Sequence, residues 1–174
     1  MNNVFIKFVF LSLMLLQVSC SGHSQGALKH DLSLERQQSQ KIETTLYKLS
    51  ESRKIIVQNV IDNLGGPYKW GGDSPSKGFD CSGLIVYVYQ KADIDIPRTA
   101  EAQFSSGKPV IKKELKPGDL VFFKNPRGQK INHVGIFVGE KVFVHAPGKG
   151  KPVSYGYLTN PYFKKYYIGS RTYL

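Results

Sequence analysis

The chain has 174 residues, which is enough for one domain with an additional tail. Hydrophobic residues make up 41% of it and exclude wholesale disorder, while the formal net charge of +11 favours anionic surroundings such as nucleic acid, acidic lipid or cell-wall polymer. Because the lysines are scattered and no nucleic-acid motif is present, we expect no nucleic-acid partner and a solvated basic surface.

Residues 1–20 have the layout of a secretory signal peptide. Lys7 is the only charged residue, and the apolar run after it is short for a membrane span. The run ends at Ser19 and Cys20, which resembles the bacterial lipoprotein signal, where cleavage precedes the cysteine and its thiol is lipidated. Gln17 stands where an aliphatic residue is usual in that signal, so simple secretion remains the alternative.

Residues 21–49 are rich in serine, glutamine and lysine and are predicted to form a polar tether with at most weak helix over residues 32–49. The folded domain is predicted over residues 50–174. Its first helix follows Ser50 or Ser52 as N-cap, because apolar residues recur there at helical spacing until a pair of glycines.

A second helix is predicted over residues 81–92, with Asp80 or Ser82 as its cap. The stretch "RTAEAQF", which follows Pro97, predicts a third, short helix. Between the first two helices, "PYKWGG" predicts a loop closed by two glycines.

Strands dominate the rest of the chain. Pro117 and Gly118 predict a turn before a buried strand over residues 120–123. "NHVGIFVGEKVFVHA" predicts a hairpin that turns around Gly139 and Glu140, and "KKYYIGSRTYL" predicts a last strand. Helices followed by an antiparallel sheet indicate an α+β fold.

Cys81 is the candidate nucleophile. A helix N-terminus favours an anion, so we expect the thiolate to be stabilised there, and Gly83 to leave room for a substrate. The alternative is a small buried hydrophobic residue. If Cys20 is lipidated, Cys81 has no cysteine partner; if it is not, a Cys20–Cys81 disulfide is the remaining possibility.

His133 and His145 lie on the two strands of the predicted hairpin. Side chains alternate between the faces of a strand, so these histidines share a face only if odd residues pair with odd ones. A three-residue loop, 138–140, would place them directly opposite each other, whereas a two-residue turn at Gly139 and Glu140 would separate them. We therefore predict an odd-length connection or a bulge.

With that pairing, His133 is predicted to act as the general base for Cys81, and His145 to orient it. Taken singly, each histidine can instead be a structural residue of its strand. Zinc bound by the same three side chains is the rival chemistry, but no CxxC, HxxxH or HExxH spacing is present, and we expect no metal or other cofactor. His23 and His30 lie in the tether and are predicted to be idle.

Six motifs in order resemble the NlpC family of bacterial cell-wall cysteine peptidases, which have a papain-like fold. They cover roughly residues 55–173 and read "PYKWGG", "FDCSGLI", "IPRTAEAQ", "LKPGDLVFF", "NHVGIFVG" and "FVHA". The resemblance implies helices packed on an antiparallel sheet, in agreement with the order of the predicted elements.

The resemblance also assigns roles to individual residues. It implies Cys81 as nucleophile, His133 as base, His145 as the third polar residue and Tyr68 as a group that helps to hold the oxyanion. The positions that it implies for substrate binding flank the nucleophile or lie in the third motif: Asp80, Ser82 and Arg98. The role of Arg98 stays open.

The activity implied is hydrolysis of peptidoglycan stem peptides, at the D-γ-glutamyl–diaminopimelate bond or at the D-alanyl–diaminopimelate cross-link that small lipoprotein members cut. The alternatives are a non-catalytic wall-binding lipoprotein and a thiol acyltransferase or amidase. The chain is expected to be a monomer in the cell envelope. A lipid on Cys20 would anchor it to a membrane, in Gram-negative cells the outer membrane facing the periplasm; without that lipid it would be secreted.

Overall fold

The computed structural model describes three segments of the chain: residues 36–37, 50–128 and 130–174. Arg36 and Gln37 lie in a helix, but the predicted signal peptide, the rest of the predicted tether, Cys20, His23 and His30 lie outside the described residues. Among the residues that are described, no helix is long and apolar enough to cross a membrane.

Four α-helices lie in the segments from residue 50 onwards: α1 (Glu51–Asp62), α2 (Cys81–Gln90), α3 (Ala100–Ser106) and α4 (Pro161–Tyr166). A single 3₁₀ turn covers Lys112–Glu114. A small two-stranded antiparallel sheet, β1 (Asp73–Ser74) and β2 (Gly78–Phe79), lies directly before α2.

The main sheet has six antiparallel strands in the order β3-β8-β4-β5-β6-β7. Their bounds are β3 (Lys108–Val110), β4 (Leu120–Lys124), β5 (Ile131–Gly139), β6 (Val142–His145), β7 (Ser154–Tyr157) and β8 (Tyr167–Thr172). The expectation of an α+β fold with helices on an antiparallel sheet is confirmed.

Two clusters of buried side chains follow from the alternation of side chains along the strands. On β5, Val134 and Ile136 pack with α1 and α2 in the larger cluster, whereas Phe137 belongs to the smaller cluster with Phe123 and Phe143. Among the described residues, every member of both clusters lies within residues 50–174.

The predicted helices are present, with shifted ends. Ser50 is the N-cap of α1, but its side chain makes no capping hydrogen bond. Helix α2 ends at Gln90, two residues earlier than expected, and α3 begins two residues later than expected, where the Thr99 hydroxyl accepts a hydrogen bond from Ala102.

Several short elements were not predicted. They are α4, the 3₁₀ turn, β1, β2, β3 and β7, all too short to show a clear hydrophobic period. The first three residues of the stretch predicted as the last strand, 164–166, belong to α4 instead. Asn160 caps this helix, and Pro161 occupies its first position.

The hairpin between β5 and β6 contains a bulge. Its turn is at Glu140 and Lys141, and the register shifts between Phe137 and Gly139, so that Phe137 pairs with Phe143. Odd residues therefore face odd residues, and the prediction of a bulge or odd-length connection is confirmed.

The two histidines are nevertheless not directly opposite each other, as a three-residue loop would have made them. Ile136 pairs with Val144, and one further step in this register brings His145 level with Gly135. His133 is two residues further along β5, so the histidines are diagonal neighbours on one face. Such neighbours are still close enough for long or aromatic side chains to touch.

Candidate active site

Cys81 is the first residue of α2, and the turn that carries it is packed tightly against the preceding loop. The Asp80 carboxylate caps the helix by accepting the Gly83 N–H at 2.7 Å. A Cβ atom added to Gly83 would overlap the Gly72 carbonyl oxygen. The expectation that Gly83 leaves room for substrate is therefore wrong, because the Gly72 carbonyl of the "PYKWGG" loop fills that space.

Asp80 is the centre of a hydrogen-bond network beneath the nucleophile. Arg98 donates to both carboxylate oxygens, at 2.9 and 2.8 Å, and Gly71 N–H and Ser82 Oγ donate at 2.9 and 3.2 Å. With the Gly83 N–H, the carboxylate accepts five hydrogen bonds.

The charge state of Asp80 follows from these contacts. Burial alone would raise its pKa, but the hydrogen bond from Arg98, followed by that from the Gly83 N–H, holds the pKa below its ordinary value. Asp80 and Arg98 thus form an ion pair to which the Ser82 hydroxyl is hydrogen-bonded, and a substrate amine would have to share carboxylate oxygens that already accept hydrogen bonds.

The Cys81 thiol is free, and it donates a hydrogen bond to the Asn132 carbonyl oxygen at 3.9 Å. Burial raises its pKa first, and the Asp80 carboxylate adds to the effect. The backbone N–H groups of Val134, Ser82 and Cys81 itself act in the opposite direction, but they do not prevail. The expectation of a favoured thiolate is therefore wrong for the resting site, because desolvation and the neighbouring carboxylate outweigh the helix N-terminus.

The two histidines form a direct pair. His133 Nε2 and His145 Nδ1 are 2.7 Å apart, and the rings of Phe123, Phe143 and Phe163 surround them. Burial lowers the pKa of His133 to about 4. Burial, then His133 and Lys151, lowers the pKa of His145 to about 3. Both imidazoles are therefore neutral at neutral pH.

The tautomers follow from this pairing. The hydrogen bond occupies Nε2 of His133, so Nδ1 is the nitrogen that remains to accept a proton. For Nδ1 to be unprotonated, Nε2 must carry the hydrogen and donate it to Nδ1 of His145. His145 then holds both the ring orientation and the tautomer of His133.

A single cleft of about 560 Å³ brings together Cys81, His133, His145 and Tyr68. Burial, then Cys81 and Asp80, raises the pKa of the Tyr68 phenol, which stays protonated and able to donate. Asp80, Ser82 and Arg98 do not line the cleft. In the parts of the chain that are described, no group of three or more His, Cys, Asp and Glu residues could hold a metal ion.

Three residues near the site were not singled out from the sequence. Gln103 is fully buried and donates to the carbonyl oxygens of Ser82 and Pro97, so it supports the first turn of α2 from behind. Trp70 lines the cleft with 84% of its surface exposed, and Tyr162 lines it from α4. Gln103 and Trp70 lie within the quoted motifs, whereas Tyr162 had no signal because α4 was not predicted.

The chain is similar to known proteins. The profile of the NlpC/P60 family matches residues 65–172. Among curated proteins, "Murein DD-endopeptidase MepH" of Escherichia coli is 38% identical over 127 residues, covering 71% of this chain and 47% of the relative. "Gamma-DL-glutamyl hydrolase" of Bacillus subtilis is 42% identical over 117 residues, covering 67% and 28%. The match thus spans about half or less of these relatives.

A solved structure agrees with these matches. A protein from Staphylococcus aureus described as "similar to lipoprotein, NLP/P60 family" superimposes with a TM-score of 0.63 at 37% identity, covering 71% of this chain and 41% of that one. The similarity therefore extends from the motifs to the arrangement of helices and sheet.

Proposed function

The chain belongs to the NlpC/P60 family, and from that premise we propose that it is a cysteine endopeptidase that hydrolyses stem-peptide bonds in peptidoglycan. One observation carries the proposal: Cys81, at the start of α2, shares a cleft with a hydrogen-bonded pair of neutral histidines. A nucleophile, a base and a group that orients the base are the minimum set for acyl transfer by a thiol.

In the first step, the Cys81 proton moves to Nδ1 of His133 as the sulfur attacks the scissile carbonyl. Because the thiol pKa is raised and the imidazole pKa is lowered, a preformed ion pair is disfavoured, and proton transfer accompanies attack. The Cys81 backbone N–H and the Tyr68 hydroxyl would stabilise the oxyanion of the tetrahedral intermediate.

In the second half of the reaction, the imidazolium of His133 returns its proton to the leaving amine as the carbon–nitrogen bond breaks. A thioester to Cys81 remains. Water then attacks the thioester, with its proton passing to His133, and the thiolate leaves and is reprotonated. His145 keeps the same hydrogen bond to Nε2 throughout, so no metal or other cofactor is needed for proton balance.

Two bonds are the proposed substrates, the D-alanyl–diaminopimelate cross-link and the D-γ-glutamyl–diaminopimelate bond. The name of the first relative, a murein DD-endopeptidase, supports the cross-link as substrate, and the name of the second states hydrolysis of γ-glutamyl bonds. The cross-link is the first bond to test, because the DD-endopeptidase match covers more of this chain. Asp80, Ser82 and Arg98 are proposed to contact the stem from the side of the cleft, with Asp80 and Arg98 acting as one paired unit.

We also propose that Cys20 is lipidated and anchors a monomeric enzyme in the cell envelope. The apolar leader that ends at Ser19 and Cys20 supports this proposal. Metabolic labelling with palmitate, compared between the native chain and Cys20→Ser, would test it. The proposal fails if both chains incorporate equal label.

The peptidase proposal is tested by incubating residues 21–174 with purified muropeptides and identifying products by mass. Products cut at one of the two bonds are expected, and Cys81→Ala or His133→Gln should reduce the rate by about a thousandfold or more. Binding by Cys81→Ala should persist. No product from cross-linked or monomeric muropeptides, with Cys81 reduced, would refute the proposal. Binding without cleavage would favour a wall-binding protein, and cleavage at the amide to the sugar would favour an amidase.

A further inference from the structure

A second concave surface lies outside the catalytic cleft and shares no lining residue with it. Its volume is about 590 Å³. We call it the basic pocket and define it by its four lysines and its apolar floor: Lys112, Lys113, Lys141 and Lys164 with Leu115, Phe137 and Leu158. None of these residues has a part in the proposed peptidase chemistry.

The floor of the basic pocket is formed by apolar side chains. Phe137 and Leu158 are members of the smaller core cluster, with only 7% and 4% of their surfaces exposed, and Leu115 packs against the same cluster. A concave apolar floor of this size, reached from solvent, is typical of a binding site for a ligand with an apolar part.

The rim is uniformly basic. Every charged residue that lines the pocket is a lysine, and all four are exposed. Lys112 Nζ lies over the Tyr167 ring, 4.6 Å from its centre, which holds one ammonium in place. Glu114 and Glu140 are neighbours in the chain but do not line the pocket. The described residues that line the pocket thus include four lysines and no carboxylate.

The backbone at Lys141 is unusual. Glu140 and Lys141 have φ angles of 49° and 64°, a conformation for which hairpin turns favour asparagine and glycine. The Lys141 carbonyl oxygen accepts the Leu158 N–H at 2.8 Å, which joins the turn to the pocket floor. Lys141 thus lies at the rim of the pocket with a backbone conformation that glycine would adopt with less strain.

We propose that the basic pocket binds an anionic phospholipid at a membrane surface. The phosphate would lie among the lysine ammonium groups, and the first carbons of an acyl chain would cover Leu115, Phe137 and Leu158. A neutral lipid would leave the four ammonium groups unmatched, and a phosphate without a chain would leave the apolar floor exposed. This site does not depend on the peptidase chemistry.

Binding there would also orient the enzyme. Helix α4 contributes Lys164 to the basic pocket and Tyr162 and Phe163 to the catalytic cleft. A membrane held at one side of this six-residue helix therefore sets the position of the cleft beside it.

The first test is co-sedimentation of residues 21–174, which lack the apolar leader and keep both core clusters, with lipid vesicles. Vesicles of phosphatidylglycerol and phosphatidylcholine in equal parts should bind the protein, and pure phosphatidylcholine should not. The pocket variant, in which the four pocket lysines are replaced by glutamine, should bind these vesicles at least about tenfold more weakly. Each basic residue near an anionic surface contributes measurably to the affinity. In the control variant, four exposed lysines elsewhere are replaced by glutamine, which should lower the affinity for vesicles less than about threefold. These lysines are Lys77, Lys108, Lys130 and Lys149.

The second test separates a lipid from a bare anion. Soluble short-chain phosphatidylglycerol should shift the methyl resonances of Leu115 and Leu158, whereas glycerol phosphate should leave them in place. Equal shifts with both compounds would overturn the lipid assignment.

Other outcomes would also overturn it. The proposal fails if the pocket variant binds vesicles as the native chain does, or if the control variant loses as much. It fails too if the pocket variant loses affinity for isolated peptidoglycan and not for vesicles. The pocket variant should hydrolyse soluble muropeptides at the same rate as the native chain. Unchanged hydrolysis would show that the variant is folded, so that weaker vesicle binding reflects the loss of the lysines.

Discussion

At the scale of single residues, opposing effects act on the pKa of the Cys81 thiol. Three backbone N–H groups favour the thiolate, whereas burial and the Asp80 carboxylate disfavour it and raise the thiol pKa. The base is affected as well, because burial lowers the pKa of His133 to about 4. The resting pair is therefore a neutral thiol and a neutral imidazole, and the substrate must arrive before the proton moves.

This charge state can be measured by alkylation. In residues 21–174, where Cys81 is the only cysteine, the rate of reaction with iodoacetamide should rise with pH and show an apparent pKa above the ordinary thiol value of about 8.5. His133→Gln should keep this alkaline profile, because the neutral imidazole does not stabilise the thiolate. A plateau of fast alkylation below about pH 7, lost in His133→Gln, would show a preformed ion pair and contradict the prediction.

At the scale of elements, the site depends on how the first turn of α2 fits the "PYKWGG" loop. The Gly72 carbonyl accepts the Asp80 N–H at 3.0 Å and Arg98 Nη2 at 3.3 Å, and it leaves no space for a side chain at Gly83. Arg98 and Gln103 tie the segment around α3 to the same turn. The nucleophile is thus positioned by two segments of chain besides its own helix turn.

Gly83→Ala should therefore destabilise the protein by about 2 kcal/mol or more, because the new methyl group meets a hydrogen-bonded carbonyl that cannot move freely. Urea unfolding would measure the loss, and muropeptide cleavage should fall with it. Gly128→Ala is the matched control, since nothing lies within 4 Å of its added Cβ. Equal stability of the two variants would show that the turn can relax, contrary to this view of the site.

At the scale of the whole molecule, one face of the sheet carries both the catalytic histidines and the floor of the basic pocket. Phe123, Phe143 and Phe163 surround the histidines, and their cluster extends to Phe137 and Leu158. The same burial that builds this second core also removes His145 and much of His133 from water. The stability of the fold should consequently depend on pH.

The sign of that dependence follows from the two pKa values. In the folded state they are about 4 for His133 and about 3 for His145, against about 6.5 for an unfolded histidine. Between the folded-state pKa values and the unfolded value, the unfolded chain binds more protons than the folded chain does. The stabilisation is therefore complete above about pH 6.5 and is lost as the pH falls towards the folded values.

Unfolding in urea at several pH values between about 7 and 5 should show this loss, up to about 1.4 kcal/mol per pH unit for each imidazole. Asp80 should not contribute in this window, because its lowered pKa matters only below the ordinary carboxyl range. The double variant His133→Gln and His145→Gln should have a nearly flat profile. If the free energy of unfolding of the double variant still falls as the pH is lowered, groups other than these two histidines are responsible for the acid sensitivity.

Much of the fold could be predicted from local pattern. The periodic runs predicted α1, α2, β4 and the β5–β6 hairpin, because each is long or apolar enough to show its period. Short elements such as β3, β7 and α4 were missed, since they are held by neighbours rather than by their own residues. Four of the side chains predicted for the site line one cleft, namely Tyr68, Cys81, His133 and His145, whereas Gln103 and Tyr162 act through packing that no spacing reveals.

The sequence by itself determined the order of helices and sheet, a thiol at a helix start, and two histidines whose shared face required a bulge. Tertiary structure alone decided where that bulge falls, how Asp80 and Arg98 pair beneath the nucleophile, and that Gly83 meets a carbonyl rather than a substrate. It also decided the neutral state of Cys81 and His133 and the assembly of the basic pocket. The physical reason is that burial, pKa and surface charge depend on distances between remote segments, whereas a sequence pattern reports only which face of its own element each residue occupies.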